Sequence, residues 1–226
     1  MTNIKNGEEY IRMQKAAIAS NPDCGNSHYN LAVGYLGQKK YEEAEKALHE
    51  AISCSPNLAE AYVQLGGICL QKGDLEGCLN YNKRAVQARA GFAEGWGNIG
   101  FVQMQLGNID EAIPALEKAV RWNMKFLQAY ATLANAYLAQ GRVEESIETN
   151  LKIIKMEPNF PVAYNNLAIA YMEKGEFKQA IENADKAVEL GYDVAPQILE
   201  ELSAHRSPRT IPAAGVRAAM KTPQQR

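Results

Sequence analysis

The chain has 226 residues, of which 46% are hydrophobic and 22% are charged, as is usual for a globular protein. No apolar run approaches the roughly 20 residues that a membrane-spanning helix needs. The N-terminal segment MTNIKNGEEYIRMQ lacks the apolar stretch of a secretory signal, so we expect a cytoplasmic protein. The formal net charge is −2, but from Ser203 onward the charged residues are all basic: Arg206, Arg209, Arg217, Lys221 and Arg226.

One pattern returns every 34 residues between residues 25 and 194. The fourth position of each copy holds an aromatic or imidazole ring: His28, Tyr62, Trp96, Tyr130 and Tyr164. The eighth position is always small: Ala32, Gly66, Gly100, Ala134 and Ala168. Apolar spacing predicts two helices in each copy, and glycine occupies the turn between them in four copies: Gly73, Gly107, Gly141 and Gly175. Small residues let helices approach closely, so we expect each copy to pack on its neighbours.

In chain order, the first predicted segment is residues 1–24. Its EEYIRMQKAAIASNP aligns at the same step with EEAEKALHEAISCSP at 42–56. This alignment predicts the second helix of a repeat whose first helix is missing. Five predicted repeats follow: 25–58, 59–92, 93–126, 127–160 and 161–194. Residues 195–205, APQILEELSAH, predict an amphipathic capping helix. Residues 206–226 have no apolar period and predict a disordered basic tail.

These landmarks resemble those of the tetratricopeptide repeat family. The sequence departs from the family pattern at a few positions: Ala90 and Met124 replace Pro, Cys69 and Gln103 replace Tyr, and Ile153 replaces the last Ala. The resemblance implies an all-α, right-handed superhelical solenoid of five helix–turn–helix repeats. It also implies that the first helices of the repeats line a concave groove in which ligands of the family usually lie.

Residues that could carry chemistry are scattered. The four cysteines form no C-x-x-C pair, and His28, His49 and His205 fall on different predicted elements. The glycine-rich GFAEGWGNIG at 91–100 follows the repeat columns and has no strand before it, unlike a nucleotide-binding loop. We therefore expect no catalytic residue, no metal site and no cofactor.

The outward positions of the first helices predict a protein-binding surface. The sixth position carries uncharged hydrogen-bonding side chains: Asn30, Gln64, Asn98, Thr132 and Asn166. A carboxamide both donates and accepts hydrogen bonds, so this column could pair with a peptide backbone. It is similar to the asparagine ladders of some family members, but it could equally serve only the scaffold. Flanking positions add further candidates: Tyr29, Val33, Val63, Phe101, Met104, Asn135, Asn165 and Ile169.

The charges of the same helices exclude two kinds of ligand. The second, fifth, sixth and ninth positions contain no Lys or Arg, which argues against a clamp for a partner's C-terminal carboxylate. The acids at the second position, Glu60 and Glu94, argue against RNA, because phosphates need cations.

The sequence thus predicts a non-enzymatic scaffold that binds a peptide or helix of a partner protein in its groove. Two alternatives remain open. One is homo-oligomeric assembly, in which the N-terminal helix docks into the groove of a neighbouring copy. The other is a delivery or assembly factor whose basic tail meets an acidic partner or a membrane surface.

Overall fold

The computed structural model describes the backbone of residues 2–206 and the side chains of residues 7–206, and within that range it contains α-helices and no strands. The helices are α1 (Thr2–Ser20), α2 (Gly25–Gly37), α3 (Tyr41–Cys54), α4 (Ala59–Gln71), α5 (Leu75–Ala88), α6 (Ala93–Gln105), α7 (Ile109–Trp122), α8 (Leu127–Ala139), α9 (Val143–Met156), α10 (Pro161–Glu173), α11 (Phe177–Glu189) and α12 (Pro196–Ser203). The predicted all-α class is confirmed.

The chain divides into two compact units, residues 1–142 and 143–226. The first unit holds α1 to α8, and the described part of the second holds α9 to α12. Within the units, successive helices pack as antiparallel pairs: α2 with α3, α4 with α5, α6 with α7, and α10 with α11. Of the predicted disordered tail, residues 206–226, Arg206 is described and residues 207–226 lie outside the described residues.

Glycine ends four of the first helices, as the sequence predicts. Gly73, Gly107, Gly141 and Gly175 have φ angles of 72–77°, which glycine adopts without steric cost. In the second repeat, Gly73 N–H donates to Leu70 at 3.0 Å and Asp74 N–H to Cys69 at 2.9 Å, so two terminal carbonyls of α4 are satisfied. The first repeat makes the same turn with Lys39, whose φ is 58°.

The small eighth-position residues are packing contacts. Ala32, Ala134 and Ala168 are fully buried. A methyl group added at Gly66 would collide with the Asn82 carboxamide, and one at Gly100 would collide with Leu116. Each first helix therefore packs closely on its neighbours at this position, and at Gly66 and Gly100 a side chain of the second helix fills the space that a larger residue would need.

Three of the fourth-position rings make the same kind of hydrogen bond although their chemistry differs. His28 Nε2 lies 2.8 Å from the Pro22 carbonyl oxygen, Trp96 Nε1 donates to Ala90 at 2.7 Å, and Tyr164 Oη donates to Pro158 at 2.9 Å. In each case the acceptor lies six residues earlier, so the ring ties its helix to the turn before it. His28 thereby serves as a structural residue, with its Nε2 protonated because a carbonyl only accepts.

Helix α1 packs on α2 in the way that a second helix packs on the next first helix. Ile11 is buried in the core that α1 shares with α2, α3 and α4. A Cβ atom at Gly34 would lie 2.9 Å from Ile11 Cγ1, so α1 approaches α2 closely at this glycine.

In the second unit, α12 covers the α10–α11 pair. Leu202 is fully buried in a cluster with Ala168, Ala180 and Ala184. The His205 ring stacks on Phe177 with 3.4 Å between ring centroids.

Candidate functional site

Four first helices of the first unit lie in succession and carry most of the predicted binding residues. Helix α4 contacts α6, and α6 contacts α8. On α2, Tyr29 hydrogen-bonds Gln64 of α4; burial raises the pKa of the Tyr29 phenol, and this hydrogen bond opposes the rise. We call the sides of α2, α4, α6 and α8 that carry their fifth, sixth, ninth and twelfth positions the first-helix face.

The first-helix face exposes apolar surface. Val33 is 39% exposed and Leu70 is 38% exposed. Phe101 and Met104 are partly buried because they also pack on the cores beneath them. Isolated exposed apolar residues are common, but a series on consecutive helices forms a candidate interaction surface.

Gly67 is an open gap in this face. It is exposed, and a Cβ atom added to it would have no neighbour within 4 Å. Glycine inside a helix is less stable than alanine by about 0.5–1 kcal/mol. Packing therefore does not explain this glycine, in contrast to Gly66 beside it.

The first-helix face is free of charge. None of its sixth, ninth or twelfth positions on the four helices carries a charged residue. At the N-terminal end of α4, Glu60 is paired with Arg89 at 2.7 Å. A ligand of this face therefore gains little from its own charges.

The sixth position does not form a ladder of outward side chains. Asn98 Nδ2 donates to Asn82 Oδ1 at 3.0 Å, so it points toward α5, the second helix of the preceding repeat. Asn82 is fully buried and donates in turn to the Cys78 carbonyl at 2.8 Å. Thr132 donates its hydroxyl to Gln128 of its own helix at 2.9 Å. Asn30 and Gln64 are partly buried.

In the second unit, two predicted binding residues lie in the interior, which differs from their predicted outward orientation. Asn166 is 3% exposed and Asn165 is 8% exposed. Asn150 and Asn166 occupy the positions equivalent to Asn82 and Asn98, but Asn150 Oδ1 and Asn166 Nδ2 have no hydrogen-bond partner among the described residues. In the first unit the physical reason is visible at Asn98, which faces the preceding second helix, and in the second unit the equivalent residue Asn166 is likewise buried.

Asn82 and Asn150, which the sequence analysis did not predict, could have been recognised from the repeat pattern. Both stand at a position of the second helix that carries Leu48 and Leu116 in other repeats. A polar residue in an apolar column needs a partner, and the sixth-position Asn of the next repeat supplies one to Asn82.

Ile169 lies at a surface cavity of about 370 Å³ within the second unit, lined also by Met172, Glu173, Ile198 and Glu201. Val63 packs partly buried beside Tyr62, and Asn135 is exposed on α8.

Of the predicted basic residues of the tail, the structure describes Arg206, which forms an ion pair within the chain. Its guanidinium forms a two-pronged ion pair with Asp185, with Nη1 at 2.9 Å from Oδ2. Arg209, Arg217, Lys221 and Arg226 lie outside the described residues.

The described residues contain no group of three or more His, Cys, Asp or Glu side chains that could hold a metal ion. Burial raises the pKa of the Cys78 thiol to about 11, so this thiol is protonated at neutral pH. Between residues 2 and 206, no helix is long and apolar enough to cross a membrane.

Helix pairs with small residues at their contacts and glycine at their turns define a helical-repeat protein. Models of the tetratricopeptide repeat match residues 25–58, 103–159 and 161–190, which together make up more than half of the chain. The chain belongs to the tetratricopeptide repeat family. A search of curated proteins finds no match.

Several solved structures are similar in fold. YrrB, a tetratricopeptide repeat protein with an unusual peptide-binding site, has a TM-score of 0.68 and 21% identity over 85% of this chain and 96% of that chain. MamA has a TM-score of 0.66 and 23% identity over 84% of this chain and 100% of that chain. PilF of Pseudomonas aeruginosa has a TM-score of 0.75 and 14% identity over 91% and 92%. The predicted helical-repeat fold is confirmed, and it is the fold of a protein-interaction scaffold in general.

Proposed function

We propose that the chain is a non-enzymatic scaffold that binds a peptide or helix of a partner protein on its first-helix face. The observation that carries this proposal is Gly67, an exposed glycine inside α4 with no neighbour within 4 Å of its would-be Cβ. A glycine that weakens its helix and serves no packing contact is explained by close approach of a ligand.

The residues around Gly67 suit an uncharged ligand surface. Val33 and Leu70 offer exposed apolar contacts, with the partly buried Phe101 beyond them. Asn30, Gln64, Thr132 and Asn135 supply uncharged polar groups, and Tyr29, Val63 and Met104 complete the proposed face. An extended or helical segment that places an apolar side chain at the Gly67 gap would bury all of these contacts together. The similarity in fold to YrrB supports a peptide as the occupant.

Four predicted residues take other places in this proposal. Asn98 hydrogen-bonds Asn82 of the preceding repeat, and Asn165 and Asn166 are buried. Ile169 lies at the separate cavity of the second unit.

The experiment places a leucine side chain in the open space at Gly67, where a Cβ atom would have no neighbour within 4 Å. Wild-type chain, Gly67→Leu and Asn80→Leu are used for affinity capture from the native cell extract, with quantitative mass spectrometry. Asn80 is exposed on α5, away from the first-helix face, so its variant adds the same side chain elsewhere. We expect the specific partner to be retained by wild type and Asn80→Leu and lost from Gly67→Leu. Equal capture by all three proteins would contradict the proposal.

A second candidate function, homo-oligomeric assembly, is supported by the open side of α1. Met13 is 60% exposed and Tyr10 is 37% exposed, whereas the equivalent residues of α3, Ala47 and Ala44, are buried. Light scattering of wild type, Met13→Glu and a variant lacking residues 1–22 would test it. A larger mass that both changes reduce supports self-association through α1, and a monomeric wild type contradicts it.

The third candidate, a delivery factor with a basic tail, now depends on four residues: Arg209, Arg217, Lys221 and Arg226. Arg206 is excluded from this set by its pairing with Asp185. Removing residues 207–226 should weaken partner binding at low salt if the tail contributes, because charge contacts are screened beyond about 10 Å at moderate salt. Equal affinity of both proteins at low salt would contradict a role for the tail.

A further inference from the structure

Two large apolar side chains are exposed where α7 ends. Trp122 is 58% exposed and Met124 is 72% exposed. Trp122 is the last residue of α7, and Met124 stands at a position where the repeat pattern has Pro. We call Arg121, Trp122, Met124 and Lys125 the α7 patch. It belongs to a second helix and the turn after it, so it is separate from the first-helix face.

The Trp122 ring is supported on one side. A Cβ atom added at Gly91 would lie 3.2–3.3 Å from Cε3, Cδ2 and Cζ3 of the indole. Three ring atoms at nearly equal distance mean that the Gly91 backbone lies against the face of the ring. Trp96 Nε1 donates to the Ala90 carbonyl oxygen in the same turn at 2.7 Å, and this hydrogen bond holds the turn in place. An aromatic ring that is held in place and half exposed loses little conformational entropy when it binds.

Two basic residues adjoin Trp122 and Met124 in the sequence. Arg121 and Lys125 are exposed, and neither forms an ion pair among the residues that the structure describes. Lys118, one turn before Trp122, lies 4.1 Å from the Trp96 ring centroid and adds positive charge on the same helix.

No carboxylate of the described residues forms an ion pair with Arg121 or Lys125. Glu117 accepts a hydrogen bond from Tyr137 at 3.0 Å, and Glu60 is paired with Arg89 at 2.7 Å. Glu94, in the first turn of α6, is exposed and has no partner among the described residues. Arg121 and Lys125 therefore remain available to a ligand that brings its own carboxylates.

We propose that the α7 patch docks an acidic amphipathic segment of another protein. An apolar side chain of that segment covers Trp122 and Met124, and its carboxylates pair with Arg121 and Lys125. Tryptophan and arginine are the residues that most often dominate binding energy at protein interfaces, and complementary charge speeds and orients the encounter. Recognition of an anionic membrane usually takes about 4–8 clustered basic residues, more than this patch offers.

The probe is a fluorescein-labelled helical peptide with Leu and Phe on one side and Glu on the other. Two matched peptides replace Glu by Lys, or Leu and Phe by Ala. Binding to the full chain is measured by fluorescence anisotropy at low and physiological salt. We expect the Glu peptide to bind, and neither matched peptide to bind comparably.

Variants then locate the contact. Trp122→Ala should weaken binding of the Glu peptide about tenfold or more. Reversing both cations, with Arg121→Glu and Lys125→Glu, should weaken it and remove its salt dependence. Met124→Glu provides a second test at a side chain so exposed that folding does not depend on it. Leu106→Ala is the control. Leu106 is 43% exposed and lies at the turn between α6 and α7, at the other end of α7 from Trp122, so its loss should have no effect. Gly67→Leu should also have no effect, which separates this surface from the first-helix face.

Each other outcome overturns the proposal. One is binding that Trp122→Ala and Met124→Glu leave unchanged. Another is failure of the Glu peptide to bind while phosphatidylserine vesicles sediment with wild type but not with Trp122→Ala, since the ligand would then be a membrane. A third is a wild-type dimer that Trp122→Ala converts to monomer, since the occupant would then be a second copy. Circular dichroism confirms that each variant keeps its helix content.

Discussion

Helix α4 carries two adjacent glycines, one packed against a neighbouring helix and the other exposed. On the buried side, Gly66 leaves the room that the Asn82 carboxamide fills. On the open side, Gly67 is exposed and has nothing within 4 Å of its would-be Cβ. The two residues share the same helix and the same intrinsic helix propensity, so the difference between them comes entirely from their surroundings.

The comparison separates what the fold requires from what it does not. Gly66 is needed because the second helix of the repeat lies against it. Gly67 destabilises the helix, and no packing contact requires a glycine there. Residues that destabilise a fold in this way are concentrated at functional sites. The central claim of the proposed function is that Gly67 is kept for a ligand.

The largest effect is expected on the buried side. Gly66→Leu would force its side chain into the Asn82 carboxamide and toward the Cys78 carbonyl, which lies 3.4 Å from the would-be Cβ. Overpacking of this kind typically destabilises by about 1–3 kcal/mol, and a four-carbon side chain at a full contact should reach the upper end. Urea unfolding followed by circular dichroism measures the loss. An unchanged unfolding midpoint would contradict the packing role of Gly66.

The next effect tests what Gly66 makes room for. Asn98→Ala would leave the fully buried Asn82 Oδ1 without its donor, at a loss of about 1–3 kcal/mol in the free energy of unfolding. Asn135→Ala, an exposed carboxamide on α8, is the matched control and should change stability by less than about 0.5 kcal/mol. Equal unfolding curves for the two variants would mean that the Asn82–Asn98 hydrogen bond contributes nothing.

A smaller effect concerns a place where glycine is absent. Lys39 has a φ of 58° in the turn where other repeats have glycine. The left-handed conformation costs a non-glycine residue about 1–2 kcal/mol, partly offset by the greater unfolded-state freedom of glycine. Lys39→Gly should therefore raise the free energy of unfolding by up to about 1 kcal/mol. Lys40→Gly, whose native φ is −87°, should not be stabilising; the same gain in both variants would refute the strain argument.

The smallest effect has the opposite sign to that at Gly66. Gly67→Ala should stabilise the protein by about 0.5–1 kcal/mol, because alanine restricts the unfolded chain and meets no obstacle in the fold. Thermal unfolding compares it with Gly66→Ala, which should be destabilising. If Gly67→Ala is destabilising as well, the open side of α4 is not open in solution.

Much of the fold could be predicted from the 34-residue period, because small residues and glycine turns recur at fixed positions and each has a direct steric meaning. The candidate site could be predicted less well. A column tells which side of a helix a residue occupies, but whether that side meets solvent or a neighbouring helix depends on packing geometry. Asn98 illustrates this: its predicted outward position faces Asn82 of the preceding repeat. The pairing of Arg206 with Asp185 joins positions 21 residues apart that share no column, so the period gave no indication of it.

The most direct test of the central claim measures binding and stability of Gly67→Leu together. A peptide from the captured partner is titrated against wild type, Gly67→Leu and Asn80→Leu, and the free energy of unfolding of each protein is determined in parallel. We predict that Gly67→Leu binds about tenfold or more weakly while unfolding no more easily than wild type. Wild-type affinity in Gly67→Leu would contradict the claim that the first-helix face is the binding surface.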